Sequence, residues 1–497
     1  MSDITRSKIH LADKWWVAIA VSLGMLMSLM DATIVNVAIP RMEHDFGASI
    51  HDVQWVVTIY MITQAAVIPT APYLAAKFGA KRAYVWTLMA FLLGSILCGF
   101  AWNLPSLILF RLIQGIGGGI LLPLVMTLQY QAFAPHERGV ATSVIGIPMQ
   151  FAPVIGPALG GYLVSAFGWQ WAFFINIPLG IIAITVAQRV LRHTPSQPRT
   201  RFDLPGFLTA VLGSVTLLYA ISAITSGDSS LKNILLFLAG IFIIFAFITI
   251  ELRTLKRGLI PLLNLRRFRD RTFAFSTIAL VFSSFIMFGL LFLIPIYLQN
   301  LHGETALNAG LIQMGQALAV IAILPVAGRL SDRIGPRSVV IVGLVILSGT
   351  AALMMTLALQ TPIWIIIGIL VLLGSSFGLS QQIPVAAMSR IDKEEHQEVS
   401  NGSTLITVLR AVAAPMGVAI LSSIVQERSL YYMDTLSAQG VRGAQLQQQS
   451  SLLAMHQSFL VAGILGLLAM LAMFFVPRRN KNKQEQTEPA AMVEMLK

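Results

Sequence analysis

Charge is scarce in this chain. Of 497 residues only 11% are Asp, Glu, Lys or Arg, while 56% are hydrophobic. Soluble domains carry about 25% charged residues. A chain this poor in charge, with a mean hydropathy of +0.76, is not a soluble globular protein, and most of it belongs in lipid. Cysteine is scarcer still. The single one, Cys98, lies in an apolar run, so no intrachain disulfide can form. The eight histidines fall in loops or near the ends of apolar runs without metal-ligand spacing, and no metal site is expected. No phosphate-binding loop ending in Lys-Ser or Lys-Thr occurs. "GIGGGI" (115–120) follows no strand, which argues against a dinucleotide-binding turn. These absences point away from an enzyme and from a self-contained ATP-driven pump, and no cofactor is expected.

What the chain has instead is apolar runs of about 20 residues, each long enough to cross a hydrocarbon core of roughly 30 Å. Fourteen candidate spans lie near 15–39, 52–76, 83–101, 105–132, 139–164, 170–191, 205–225, 231–252, 272–298, 306–328, 338–357, 361–388, 398–425 and 456–476. The runs are continuous rather than alternating, and backbone in lipid must satisfy its own hydrogen bonds, so they are expected to be helices. The first run follows a basic leader (Arg6, Lys8, Lys14). It is too long for a signal-peptide core, lacks a clear cleavage site and is read as a retained helix.

The basic residues set an orientation. With the N-terminus in the cytoplasm, nearly all Lys and Arg fall in cytoplasmic segments, and only Arg41, Lys232, Arg428 and Arg442 fall in the opposite loops. Both termini are therefore expected in the cytoplasm. The net charge of +12 is a topology signal with some attraction to anionic membrane lipids, not a mark of nucleic-acid binding.

An internal repeat is also visible. "PYLAAKFGAKR" (72–82) parallels "GRLSDRIGPR" (328–337), and "NVAIP", ending at Pro40, parallels "LFLIP", ending at Pro295. The expected architecture is an all-α membrane protein with two six-helix bundles and two inserted helices. Its parts would be a leader (1–14), a first bundle (15–191), an inserted pair (205–252), a second bundle (271–476) and a cytoplasmic tail (477–497). Parallel halves around a midplane cavity are one plan of secondary transporters. The stretch 427–455, rich in Gln and Ser, is expected to be an extracytoplasmic connector, with short surface helices or a lid as the alternative.

Only Asp31, Arg111 and Arg410 are charged residues well inside the spans. Each costs roughly 2.5–3.5 kcal/mol on insertion scales, so each should face a cavity or a partner. Asp31 reads as a reversibly protonated acid in a water-accessible cavity or as half of a structural ion pair with Arg111. Desolvation favours the protonated form of any carboxyl and a nearby cation the ionised form. Competition between a proton and cationic cargo at one acid would amount to antiport. Arg111, which cannot deprotonate, would bias Asp31 as a fixed charge or bond backbone carbonyls in helix packing. Arg410 could contact an anionic group or simply hold its span. Trp55, Tyr60, Gln114, Met149, Gln150, Gln313 and Gln316 are candidate cavity lining suited to amphipathic cations, although aromatic and Met side chains are also ordinary membrane core.

"LMDATIVNVAIP" in span 1, "LILFRLIQGIGGGI" in span 4, "PVIGPALGGYL" in span 5 and "WQWAFFINIPLG" at the start of span 6 together resemble the major facilitator superfamily, in particular its fourteen-span drug:proton antiporter branch. The resemblance covers about residues 15 to 476. It implies a multidrug exporter of the bacterial inner membrane, with a small amphipathic substrate and protons as partners and a monomer as the working unit. It implies proton coupling at Asp31 and Arg111, and conformational roles for Gly156, Pro157, Gly160 and Gly161. It also implies a cytoplasmic gate from Arg138, Gly328, Asp332, Arg333, Gly335 and Arg337. Span 5, with Pro148, Pro153 and Pro157 beside Gly156 and Gly160, is expected to bend and to form a tight seam between the halves. One departure stands out. The first gating loop has Pro72 and Ala76 where the family carries a glycine and an acid, and only the second copy, with Asp332, is complete. Lipid or metabolite transport on the same scaffold, and a membrane sensor that does not transport, are the alternatives.

Overall fold

The computed structural model describes residues 11–192, 202–225, 230–256, 261–392 and 395–477. Most of the expected leader, nearly all of the tail and parts of both basic linkers lie outside these residues.

The first bundle comprises α1 (Leu11–Phe46), α2 (Ile50–Val67), α3 (Ala71–Phe78), α4 (Ala80–Gly99), α5 (Leu104–Ala132), α6 (Arg138–Phe167), α7 (Trp171–Phe174) and α8 (Asn176–Val190). The inserted pair is α9 (Leu204–Thr225) and α10 (Leu231–Lys256). The second bundle comprises α11 (Arg271–Ile296), α12 (Ala306–Ile334), α13 (Pro336–Met354), α14 (Ile363–Ser380), α15 (Ile383–Ala387), α16 (His396–Ala438) and α17 (Ala444–Phe474). Among the described residues 13 helical segments are long and apolar enough to cross a membrane. The 30-residue α6 occupies the place of the remaining expected span.

Local chemistry sets where the helices start and break. Asn103 begins α5 with a capping box, accepting from the Ser106 amide at 2.8 Å while the Ser106 hydroxyl accepts from the Asn103 amide at 3.2 Å. The second span is interrupted by a 3₁₀ turn, Ile68–Thr70, where Pro69 and Pro72 remove backbone donors.

The sequence repeat has a backbone counterpart. Gly79, between α3 and α4, has φ 83 and ψ 144, and Gly335, between α12 and α13, has φ 91 and ψ 145. Only glycine adopts that region without strain. The basic residues after these turns also match. Lys81 Nζ donates to the Gln188 carbonyl at 2.7 Å near the end of α8, and Arg337 donates to Met473 and Phe474 at the end of α17. Each cation sits where a helix C-terminus leaves carbonyls unpaired.

Packed clusters divide along the chain. Two draw on residues of α1 to α8, and the largest draws mainly on α11 to α17. Large apolar side chains such as Phe242 and Phe245 stay exposed, as lipid-facing surface requires. The inserted α9 packs on α2 and on α16, so it touches both bundles, and α10 lies against α9.

The stretch 427–455 differs from the expected connector. The 43-residue α16 runs on to Ala438 and α17 starts at Ala444, with Gly440 (φ 88) and Gly443 (φ 66) making the turn between them. At 1.5 Å per residue α16 is about 65 Å long, roughly twice a hydrocarbon core. The stretch holds good helix formers and no proline, and its glycines fall only at the turn. Its strands of helix are tied together by Gln457 Nε2 donating to the Tyr432 hydroxyl at 2.6 Å. Gln-rich composition marked solvent exposure, not loop.

The bundles meet at the end that carries the basic loops. Thr127 of α5 shares a hydrogen bond of 2.9 Å with Ser403 of α16, and Ser143 of α6 donates to the Leu324 carbonyl of α12. Arg138, fully buried, donates to the Met388 and Ile391 carbonyls at 2.6 and 2.9 Å.

Candidate functional site

Asp31 lies midway along α1 and is completely buried. Its carboxylate accepts three hydrogen bonds from two other helices. Arg111 Nη1 donates to Oδ2 at 2.6 Å, and Gln114 Nε2 and Asn176 Nδ2 both donate to Oδ1 at 2.8 Å. Helical spacing puts Arg111 and Gln114 on one face of α5, and Arg111 Nη1 also donates to Gln114 Oε1 at 2.7 Å. The guanidinium stacks over the Tyr60 ring of α2, 4.0 Å from its centroid, and its Nε donates to the Val56 carbonyl at 3.0 Å. Asn176, the first residue of α8, is held from behind by Ser95 of α4, which its Nδ2 also reaches at 2.9 Å. Ser95 in turn donates to the Phe173 carbonyl at 2.9 Å.

The ion pair foreseen as one alternative for Asp31 and Arg111 is therefore present, and neither side chain has solvent exposure in this conformation. Such a pair repays its desolvation only when the remaining lone pairs and protons are satisfied. Here satisfaction is incomplete: Arg111 Nη2 and Asn176 Oδ1 are buried without a hydrogen-bond partner. One unused donor and one unused acceptor remain beside a buried charge pair.

The other sequence candidates are dispersed. Tyr60 and Gln114 belong to the Asp31 cluster. Trp55 is 40% exposed on α2, and Met149 packs on the first-bundle core beside half-buried Gln150. Gln313 bonds its own helix at the Ala309 carbonyl, and Gln316 is buried where α12 crosses Gly374. Arg410 donates to Gln381 Oε1 at 2.9 Å in the second bundle. Asn176 was not singled out in the sequence, although it stands in the quoted "FINIPLG" run.

The span-5 glycines behave differently from expectation. A Cβ on Gly156 would run into Thr33 and one on Gly160 would lie 3.1 Å from Ile34, both on α1. Their seam lies inside the first bundle, not between the halves. Gly161 meets only Val37, at 3.9 Å, and the Pro157 side chain lies outside the described residues. The seam between bundles sits one end lower on α6. A Cβ at Gly139 would be 2.5 Å from the Gly328 carbonyl, and one at Gly146 would be 3.1 Å from Leu324. Asp332 closes this junction by accepting from the Gly139 and Val140 amides at 2.8 and 3.0 Å. Arg333 is exposed beside it.

A bundle pair that closes at one end over a buried charged centre defines a membrane transport protein rather than an enzyme. The chain belongs to the Major Facilitator Superfamily, whose family model matches residues 21–418. It is 33% identical over 404 residues to the multidrug resistance protein B homolog of Mycobacterium tuberculosis, covering 80% of this chain and 74% of the relative. It is 29% identical over 471 residues to the riboflavin transporter RibZ of Clostridioides difficile, covering 94% and 99%. Among solved structures the human organic anion transporter MFSD10 superposes with a TM-score of 0.66 at 14% identity, over 93% of this chain and 99% of that one, a likeness of fold. The protein is thus a multi-pass membrane transporter of small molecules, with relatives that include multidrug transporters.

Proposed function

We propose that this protein is a proton-coupled exporter of amphipathic cationic or neutral compounds in a bacterial inner membrane, with both termini in the cytoplasm and Asp31 as the proton-exchanging acid. The observation that carries the reading is the unfinished hydrogen bonding around Asp31. A purely structural network is normally completed, because each unmet buried polar group costs about 1–3 kcal/mol. Arg111 Nη2 can donate to water or cargo, and Asn176 Oδ1 can accept from them, once the bundles open.

Closure at the basic-loop end supports an outward-facing member of an alternating-access cycle. A single exchanging acid also sets the energetics. One proton traded for one monocation moves no net charge, so a voltage worth about 2.3 kcal/mol per charge per 100 mV contributes nothing. A pH gradient contributes about 1.36 kcal/mol per unit. In proteoliposomes, monocation export should follow the pH gradient and survive collapse of the potential. Uphill export driven by voltage alone would overturn the one-acid exchange.

A metabolite reading is favoured by one finding, the match to a riboflavin transporter over 94% of this chain. Proton release on adding riboflavin, compared with a dye cation and a lysolipid, distinguishes the cargo classes, and a protein that releases protons with none of the compounds would be the non-transporting sensor.

A further inference from the structure

The α7–α8 junction places one uncharged side chain at the centre of the charged cluster. Ile175 joins the short α7 to α8 in right-handed helical geometry (φ −58, ψ −26), and Asn176 is the first residue of α8. Both N–H groups of its amide are used, one on Asp31 Oδ1 at 2.8 Å and one on Ser95 Oγ at 2.9 Å, while its Oδ1 has no partner. The groups facing Asp31 from the surrounding helices are Arg111 and Gln114 of α5, Tyr60 of α2, Cys98 of α4 and Asn176 of α8.

All three contacts on the Asp31 carboxylate are donors. That arrangement suits the ionised acid and leaves an incoming carboxyl proton without an acceptor. Arg111 has no acceptor to offer. Gln114 cannot turn its oxygen toward Asp31, because that oxygen already receives Arg111 Nη1 at 2.7 Å and Cys98 Sγ at 3.7 Å. Asn176 can, since its oxygen is unused. Turning it over presents Oδ1 to the Asp31 hydroxyl, but it also swings two N–H groups into the space where Oδ1 now stands without a partner. That exchange is favourable only when water or cargo enters to receive them.

The geometry points to Asn176 as the positioning residue that ties the proton on Asp31 to opening of the centre: it holds the ionised acid while the site is dry and must release it for the acid to take up a proton. Ser95 sets its orientation. This inference rests on Asp31 being the exchanging acid, and it adds a role for α8 that the charge pair alone does not require.

The test is the pH dependence of transport in proteoliposomes for Asp31→Asn, Asn176→Leu and Ser95→Ala, with correct folding checked by size-exclusion elution and thermal unfolding. Losing a hydrogen bond to a charged group should move the pH midpoint of Asn176→Leu upward by about one to two units. Ser95→Ala leaves every contact on Asp31 in place and should move it in the same direction by less. An abolished proton dependence in Asp31→Asn together with unmoved midpoints in folded Asn176→Leu and Ser95→Ala overturns the role of Asn176 alone. Full proton-driven transport by Asp31→Asn overturns the underlying reading instead.

Discussion

Asp332 and Gly139 join the two bundles: the carboxylate at the end of α12 accepts from the first amide after the start of α6, at 2.8 Å, and from its neighbour Val140 at 3.0 Å. A helix N-terminus leaves such amides without intrahelical partners and attracts negative charge. The acid of one half thus serves as the cap of the other.

Removing it should loosen the closed form. Asp332→Ala is expected to cost about 1–2 kcal/mol of closure, on the scale of a lost N-cap, which shifts the open-to-closed ratio by roughly tenfold. Spin labels at the exposed positions 136 and 329 would read this as a growing long-distance population. An unchanged distance distribution would remove Asp332 from the gate.

The two glycine seams of α6 should fail in different ways. Gly160→Leu drives a side chain into Ile34 inside one bundle, so thermal stability and transport should fall together with the label distance unchanged. Gly139→Val sets a side chain against the Gly328 carbonyl, so the label distance should lengthen with little loss of bundle stability.

Breaking the central pair from one side strands a buried charge at a cost of about 3–5 kcal/mol. Asp31→Asn and Arg111→Gln should each insert but unfold at lower temperature, and Asp31→Asn should lose proton-driven accumulation. The double variant removes both charges and should be less destabilised than the two singles added together. Strict additivity in thermal unfolding would show that the two groups do not act as a pair.

At the rim, Lys14 Nζ lies 2.6 Å from Glu137 Oε1, joining the start of α1 to the turn before α6. Partial burial pushes the Glu137 carboxyl up, but the bond and charge of Lys14 outweigh it and hold the carboxyl below the usual range. A lowered carboxyl stabilises the fold above its unfolded value and loses that contribution as pH falls through the folded one. The stability gap between the wild type and Glu137→Gln should therefore stay constant through neutral pH and close below about pH 4. It should be small and shrink in salt, because the pair is partly exposed.

Much of this molecule was legible in its sequence because lipid leaves few choices. Apolar run length fixed the helices, and a carboxylate within a largely apolar run could only be paired or functional. Arg111 was legible for the same reason. Asn176 was not, since an uncharged amide stands out less than a charge in an apolar run, and its place beside Asp31 depends on how α8 packs, which no periodicity signals. The Gly156 and Gly160 pair announced close approach, but the seam expected between the halves lies instead against α1 within the first bundle, because small residues signal contact without naming the partner. In 427–455 the polar composition concealed a helical hairpin, because Gln and Ser report exposure to water and say little about backbone form.

Ala76 is the repeat counterpart of Asp332, and α3, which carries it, packs on α16. Near the start of α16, Glu395 and Glu398 lie 3.8 and 3.2 Å from Arg267 of the linker before α11. The pseudo-twofold closure is consequently lopsided, with a carboxylate on two helix amides at one flank and only uncharged hydrogen bonds, Thr127 to Ser403 and Gln131 to the His396 carbonyl, joining α5 to α16 at the other. When the halves part, the flank at Ala76 should give way first and the flank at Asp332 should act as the pivot, so this end of the transporter should swing like a door rather than widen like an iris.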